Sequence, residues 1–208
     1  MATINQYKGW FPIVSAVLLL SFWVLFALFL PMNQAYLNWV LNKHWTWING
    51  VGFLGSLSGF LAVNALFQYK GYSAKWDYII YCVVQIGIIS LTSLLFFEAF
   101  ILKGIAKISP ELIVLNQGFY KESAFRWANL IGGIFFSSGM VLMSISMLKK
   151  TSFKPWKLVL LILGAPLFGI VWMPGNLRIL GVLLFSISYM AIGVEMLKVE
   201  KEKKRTTH

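Results

Sequence analysis

Cysteine and histidine are nearly absent from this sequence, and their scarcity excludes several kinds of site. The 208 residues contain one cysteine, Cys82, and two histidines, His44 and His208. A single cysteine permits neither an intrachain disulfide nor a thiolate metal cluster. Two histidines, one in a loop region and one at the terminus, permit neither an intramembrane haem site with paired histidine ligands nor a HExxH zinc site. We therefore predict no metal and no cofactor.

Charged residues are also scarce. They make up 12% of the chain, whereas 59% of its residues are hydrophobic, and soluble domains are usually about 25% charged and about 45–50% apolar. Such an apolar chain is suited to a lipid bilayer, where one spanning helix needs about 20 residues. The net charge of +11 would suggest nucleic acid in a soluble protein. Here the positive residues lie in loops and at the tail, so we predict no nucleic-acid partner.

Six apolar runs predict an all-α, six-helix transmembrane bundle in a single domain, residues 1–197, followed by a charged tail at 198–208. A short interfacial segment is expected after the first run. A helical outer loop is expected between the third and fourth runs, beginning at Ser109-Pro110-Glu111. The predicted helices cover residues 10–31, 45–69, 76–102, 126–148, 158–173 and 177–197.

The distribution of lysine and arginine predicts the orientation. Of the 18 basic residues, twelve lie on the side that holds both termini, and cytoplasmic loops are the ones enriched in Lys and Arg. We expect a multi-pass protein of a cell membrane, such as a bacterial inner membrane, with both termini cytoplasmic. The lipid bilayer is then its main partner, with anionic headgroups near Lys149, Lys150, Lys154 and Lys157.

Small residues mark two of the predicted helices as sites of close packing. Gly55 and Gly59 have GxxxG spacing, and Gly133 and Ser137 are also four residues apart. Helices in lipid approach one another closely where such residues line up. We expect these two helices to sit in the centre of the bundle.

Glu98 is the most informative single residue, because it lies in the apolar stretch Leu94–Phe100 about one turn from the outer end of its helix. An acidic group at the centre of a spanning helix costs about 2.5–3.5 kcal/mol on insertion scales, and less near the interface. Its candidate partners are Arg126, Arg178, Lys103 and His44. Two interpretations stay open, a structural ion pair between helices and a binding or proton-relay role.

Further candidate binding residues are polar side chains within or next to the predicted spans. Gln85, Asn64 and Asn129 line a small polar cavity if they converge, although such residues more often join helices by hydrogen bonds. The stretch Gly55–Gly59 places leucine where a GxSxG serine hydrolase needs its nucleophile. No catalytic residue is predicted. The candidate binding residues are Glu98, Arg126, Arg178, Gln85, Asn64 and Asn129.

The stretch from Gly132 to Gly164 combines a glycine-containing helix, the basic pair Lys149-Lys150, the dipeptide Pro155-Trp156 and a short apolar helix. It resembles a family of bacterial multi-pass integral membrane proteins of unknown function. The resemblance covers about a third of the chain and implies architecture only.

The lack of a catalytic constellation favours a non-enzymatic protein, a scaffold or an accessory subunit of a membrane complex or homo-oligomer. Two alternatives stay open. One is a small-solute transporter or channel with Glu98 in its pathway. The other is a membrane enzyme that acts on a lipid, using Glu98 with Arg126 or Arg178. An open, water-accessible pocket around these residues favours the alternatives, whereas a tight ion pair at Glu98 favours the scaffold.

Overall fold

A computed structural model describes residues 8–30, 34–71, 75–113, 123–170 and 175–205. It does not describe the side chains of residues 123–126, 175, 200 and 203–205. All regular secondary structure within the described ranges is helical. The helices are α1 (Trp10–Phe29), α2 (Tyr36–Leu41), α3 (Trp45–Lys70), α4 (Lys75–Phe96), α5 (Leu102–Ile108), α6 (Ser123–Lys150), α7 (Pro155–Gly169) and α8 (Gly175–Arg205), with a π-helical turn at Phe97–Ile101 and a 3₁₀ turn at Pro110–Ile113.

Five helices in the described ranges are long and apolar enough to cross a membrane, by length and composition. This fits a membrane-embedded protein. The sixth apolar helix, α7, has 15 residues and is therefore about 22 Å long. The five candidate spans are Trp10–Phe29, Trp45–Lys70, Lys75–Ile108, Trp127–Lys150 and Asn176–Val199.

The long helices form a closed ring in the order α1, α3, α4, α6, α7, α8, and α8 returns to pack against α1. Neighbours in the ring run in opposite directions. The glycine-rich helices α3 and α6 were expected at the centre of a bundle, but both are wall members of this ring. In a ring, side chains from every helix point to the interior. The small residues lie instead at the contacts between neighbouring helices, which we call seams.

Two of these seams show why glycine is needed. A Cβ added at Gly139 in α6 would lie 2.8 Å from the backbone nitrogen of Val84 in α4. A Cβ added at Gly9, just before α1, would lie 2.5 Å from the carbonyl oxygen of Gly193 in α8. Both distances are shorter than real Cβ contacts, so larger residues would force the helices apart.

Several predicted boundaries are wrong. The third helical segment continues through the π-helical turn to Ile108 instead of ending at residue 102, because Leu102 and Ala106 are buried against Trp45 and its neighbours. The predicted helix 158–173 is α7, which begins at Pro155 and ends at Gly169. Proline suits a first helical turn, since no hydrogen bond is needed there.

The sixth predicted helix, 177–197, is α8, which begins at Gly175 and continues into the charged tail as far as Arg205. The expected interfacial segment corresponds to α2, and the predicted helix start at Ser109-Pro110 corresponds to the 3₁₀ turn. Residues 114–122 of the outer loop lie outside the described residues, as do residues 171–173 at the end of the predicted helix 158–173.

Ion pairs join helices at the end of the ring that holds the α3–α4 and α6–α7 connections. Asp77, at the start of α4, accepts hydrogen bonds from Lys70 at 2.5 Å and from Lys150 at 2.9 Å. Lys157 at the start of α7 pairs with Glu195 of α8 and also donates to the carbonyl oxygen of Ala191 at 2.9 Å. The two acidic groups Asp77 and Glu195 at this end are therefore paired with lysines of neighbouring helices.

Candidate functional site

The ring encloses a cavity of about 230 Å³. Its walls are mostly apolar and aromatic, with a few polar groups, which is the composition of many small-molecule sites. The polar groups include Glu98 and Arg178 at one end and Ser15, Ser56 and Tyr189 deeper inside. The lining residues are Ser15, Leu19, Phe22, Trp23, Phe26, Tyr36, Trp39, Trp45, Ser56, Gly59, Ile88, Leu91, Leu94, Leu95, Glu98, Phe136, Phe168, Gly169, Arg178, Phe185 and Tyr189.

Glu98 lies in the π-helical turn that follows α4. Within this turn the Leu102 amide bonds to the carbonyl oxygen of Phe97, five residues earlier. The buried Trp45 indole donates a hydrogen bond to the Glu98 carbonyl oxygen at 2.7 Å. Such π turns inside α-helices occur frequently at functional sites. The turn and its tryptophan support fix the backbone that presents Glu98 to the cavity.

Arg178 is the fourth residue of α8, and its guanidinium group lies over the Trp23 ring, 4.9 Å from the ring centroid. This cation–π contact orients the guanidinium plane. The buried Nε atom of Arg178 has no hydrogen-bond partner among the described residues. Arg178 therefore brings to the cavity lining a guanidinium group with one donor that no described residue satisfies.

Glu98 and Arg178 line the same cavity and carry ionisable groups of opposite sign. Among the described residues, however, no ion pair within 4.0 Å involves either of them. Two other candidate partners of Glu98 are engaged elsewhere. Lys103 donates to the carbonyl oxygen of Asn42 at 2.6 Å, and the His44 ring accepts a hydrogen bond from Trp47 at 3.0 Å. The described contacts thus place a carboxyl group and a guanidinium group in the wall of one cavity without a direct bridge.

Aromatic rings surround the charged end of the cavity. The short helix α2 contributes Tyr36 and Trp39, whose rings meet edge to face. The Tyr36 ring contacts Trp45 at 5.8 Å between centroids, and the Phe26 ring contacts Trp39 at 6.0 Å. We call Trp23, Phe26, Tyr36, Trp39 and Trp45 the aromatic box. The sequence segment expected at the membrane interface therefore covers one end of the cavity.

Hydrogen bonds between helices hold the deeper wall. The Ser15 hydroxyl donates to the carbonyl oxygen of Gly55 at 3.0 Å, which ties α1 to α3. The Ser56 and Thr92 hydroxyls lie 2.6 Å apart and tie α3 to α4. Ser56 lines the cavity, and Thr92 lines a groove on the outer surface of the same seam. This hydroxyl pair therefore lies between the cavity and the outer groove.

Three other predicted binding residues, Asn64, Gln85 and Asn129, lie outside the described cavity walls. Asn64 donates to the carbonyl oxygen of Phe60 at 3.0 Å and accepts a hydrogen bond from Tyr81. Gln85 is buried, and its side-chain atoms have no partner among the described residues. Asn129 is half-buried on α6. Arg126 belongs to α6, but its side chain lies outside the described part of the chain.

Some contributors to the site were not singled out from the sequence. Trp45 and Tyr189 are aromatic residues in apolar runs, and nothing in the local pattern distinguishes them from ordinary core residues. Asp77 could have been singled out from the sequence, because an acidic residue close to several basic residues indicates a charge cluster. Lys157, expected near lipid headgroups, is buried against Glu195.

No group of three or more His, Cys, Asp or Glu side chains arranged to hold a metal ion occurs among the residues that the structure describes. Comparison of the chain with protein-family models, with curated proteins and with solved structures found no match. The chemistry of the cavity is therefore the basis for a functional assignment.

Proposed function

We propose that the chain is a six-span membrane protein with both termini in the cytoplasm. Five spans have sufficient length and hydropathy. The sixth would be α7, because it packs in the ring against both α6 and α8. The excess of lysine and arginine at the end that carries both termini supports the orientation. Reporter fusions after residues 40, 72, 115, 152 and 208 test it, and a periplasmic signal at 208 would refute it.

We propose further that the protein binds and carries a small solute in the central cavity, with Glu98 in its pathway. The supporting observation is the pair of unbridged charges, Glu98 and Arg178, that line the same cavity. Ionisable groups inside membrane proteins are costly, and they typically mark substrate or ion pathways. A scaffold has no need to keep two such groups apart.

The scaffold interpretation expects Glu98 to be closed in a tight ion pair, as Asp77 and Glu195 are at the other end of the ring. The contrast between the paired end and the unpaired end favours a carrier over a scaffold. The enzyme interpretation gains no comparable support, since no described hydrogen bond joins the Glu98 side chain to a nucleophile that it could activate.

Water access to the middle of the ring is the property that tests the carrier proposal. Two cysteine variants are made in a Cys82→Ser background. Leu19→Cys places a thiol in the cavity wall, whereas Val17→Cys places one on the outer face of the same helix, where Val17 is 47% exposed. The two positions differ by only about 3 Å along the helix axis.

A charged, membrane-impermeant thiol reagent is then applied to proteoliposomes. We expect rapid modification at position 19, because a water-filled cavity admits the reagent and lets the thiol ionise to the reactive thiolate. We expect slow modification at position 17, which faces lipid. Equal, slow modification at both positions would show that the cavity is dry and would refute the carrier proposal. Modification after detergent solubilisation confirms that each thiol is competent to react.

A further inference from the structure

Glu98 and Arg178 place opposite charges at the same end of one mainly apolar cavity. Charges held apart in a medium of low dielectric constant are poorly stabilised, and hydrogen-bonded counter-charges relieve this cost. Neither group has an ion-pair partner within 4.0 Å among the described residues. A ligand that carries both a positive and a negative group would satisfy both side chains at once.

The surroundings of each charge favour particular ligand groups. Glu98 is next to the aromatic box, and Trp45 of that box bonds to its backbone. Aromatic faces combined with a carboxylate suit an ammonium group, through cation–π attraction and charge. Arg178 lines the cavity with its guanidinium group over the Trp23 ring, and a guanidinium group suits a planar carboxylate or another oxyanion.

The rest of the cavity sets the size and body of the ligand. Its deeper walls include Leu19, Ile88, Phe136 and Phe185, so they favour an apolar substituent. The volume of about 230 Å³ equals roughly eight water molecules at about 30 Å³ each. This space matches a molecule the size of an amino acid.

We propose that the cavity takes a small zwitterion with an apolar body, its ammonium group at Glu98 and its acidic group at Arg178. This inference rests on the proposed carrier function, because it names the class of solute that the same cavity binds.

Three probes with the same branched apolar group test the inference on the unmodified protein in lipid nanodiscs. L-leucine carries both charges, 3-methylbutylamine carries only the amine, and 4-methylpentanoate carries only the carboxylate. Binding is followed by intrinsic tryptophan fluorescence, since Trp23, Trp39 and Trp45 line the cavity. We expect L-leucine to bind at least about ten-fold more tightly than either singly charged probe, because it adds one charge-assisted contact.

Two variants then assign each charge to its partner. Glu98→Gln should weaken L-leucine binding about ten-fold and leave 4-methylpentanoate unaffected, whereas Arg178→Gln should weaken L-leucine and leave 3-methylbutylamine unaffected. Thermal unfolding without probe shows whether each variant is folded. If a variant fails to fold, the ranking of the three probes on the unmodified protein still decides the question.

The inference is overturned if a singly charged probe binds as well as L-leucine, or if no probe changes the fluorescence at millimolar concentration. The thiol-modification experiment separates this failure from failure of the carrier proposal. A water-accessible cysteine at position 19 with no preference for the zwitterion would refute only the ligand class. An inaccessible cysteine at position 19 would refute the carrier function itself.

Discussion

Replacing Asp77 should strongly destabilise the protein, because this carboxylate neutralises a lysine that has no access to water. The Lys70 side chain is fully buried and lies 2.5 Å from Asp77. Asp77 itself is 3% exposed. Removing one partner of a buried ion pair leaves an uncompensated charge and typically costs about 3–5 kcal/mol. Because Lys70 lies at a helix end, we expect Asp77→Asn to cost about 3 kcal/mol, at the lower end of that range.

The second lysine on Asp77 provides a matched comparison. Lys150 bonds to the same carboxylate at 2.9 Å, but its side chain is one-third exposed. Lys150→Ala should therefore cost no more than about 1 kcal/mol, as for pairs that water screens. Lys149→Ala, at an exposed neighbouring position, serves as the control and should have no measurable effect.

The assay is reversible unfolding in mixed micelles, titrated with sodium dodecyl sulfate and followed by tryptophan fluorescence. The double variant Lys70→Met with Asp77→Leu should recover most of the lost stability, because it removes both buried charges together. Equal small losses for Asp77→Asn and Lys150→Ala would show that water reaches Lys70 and would refute the proposed burial of this ion pair.

Three further variants probe the seams of the ring. Gly139→Leu should lower the unfolding temperature and weaken the α4–α6 contact, since even a Cβ would lie 2.8 Å from the Val84 nitrogen; an unchanged melting curve would contradict this close contact. Glu195→Gln should destabilise the protein by about 1–3 kcal/mol in the same micelle titration, because it removes the charge partner of the buried Lys157; no loss would show that water solvates this lysine. Ser56→Ala should lower the free energy of unfolding by only about 0.6 kcal/mol, the average value for an interhelical hydrogen bond in a membrane. A loss above about 2 kcal/mol would show that Ser56 does more than form one such bond with Thr92.

The sequence predicted the helical, membrane-embedded class well, because the length and hydropathy of a span are properties of one segment. It also singled out Glu98, since a carboxylate in an apolar run is conspicuous without any knowledge of its neighbours. The boundaries of α7 were predicted less well, because Leu158–Met173 is apolar throughout, whereas the helix begins at Pro155 and ends at Gly169.

The features that the sequence could not supply depend on contacts between distant residues. The π-helical turn at Glu98 is supported by Trp45, which is 53 residues away. The choice between a ring and a packed bundle depends on whether α8 returns to α1, and no local pattern encodes that contact. Lys157 illustrates the same limit, because its partner Glu195 is 38 residues away. From the sequence alone, the positive charge of such a lysine predicts a position near lipid headgroups.

An experimental structure of the protein in lipid nanodiscs, at a resolution that shows ordered solvent, would show directly how Glu98 and Arg178 are arranged in the cavity. In the proposed arrangement, Glu98 and Arg178 face a shared, water-accessible cavity without forming an ion pair. We expect density for water or a small molecule between the carboxylate and the guanidinium group, with the aromatic box around it. A direct Glu98–Arg178 ion pair within 4.0 Å, with Leu19 and Phe136 closing the space below it, would contradict the account.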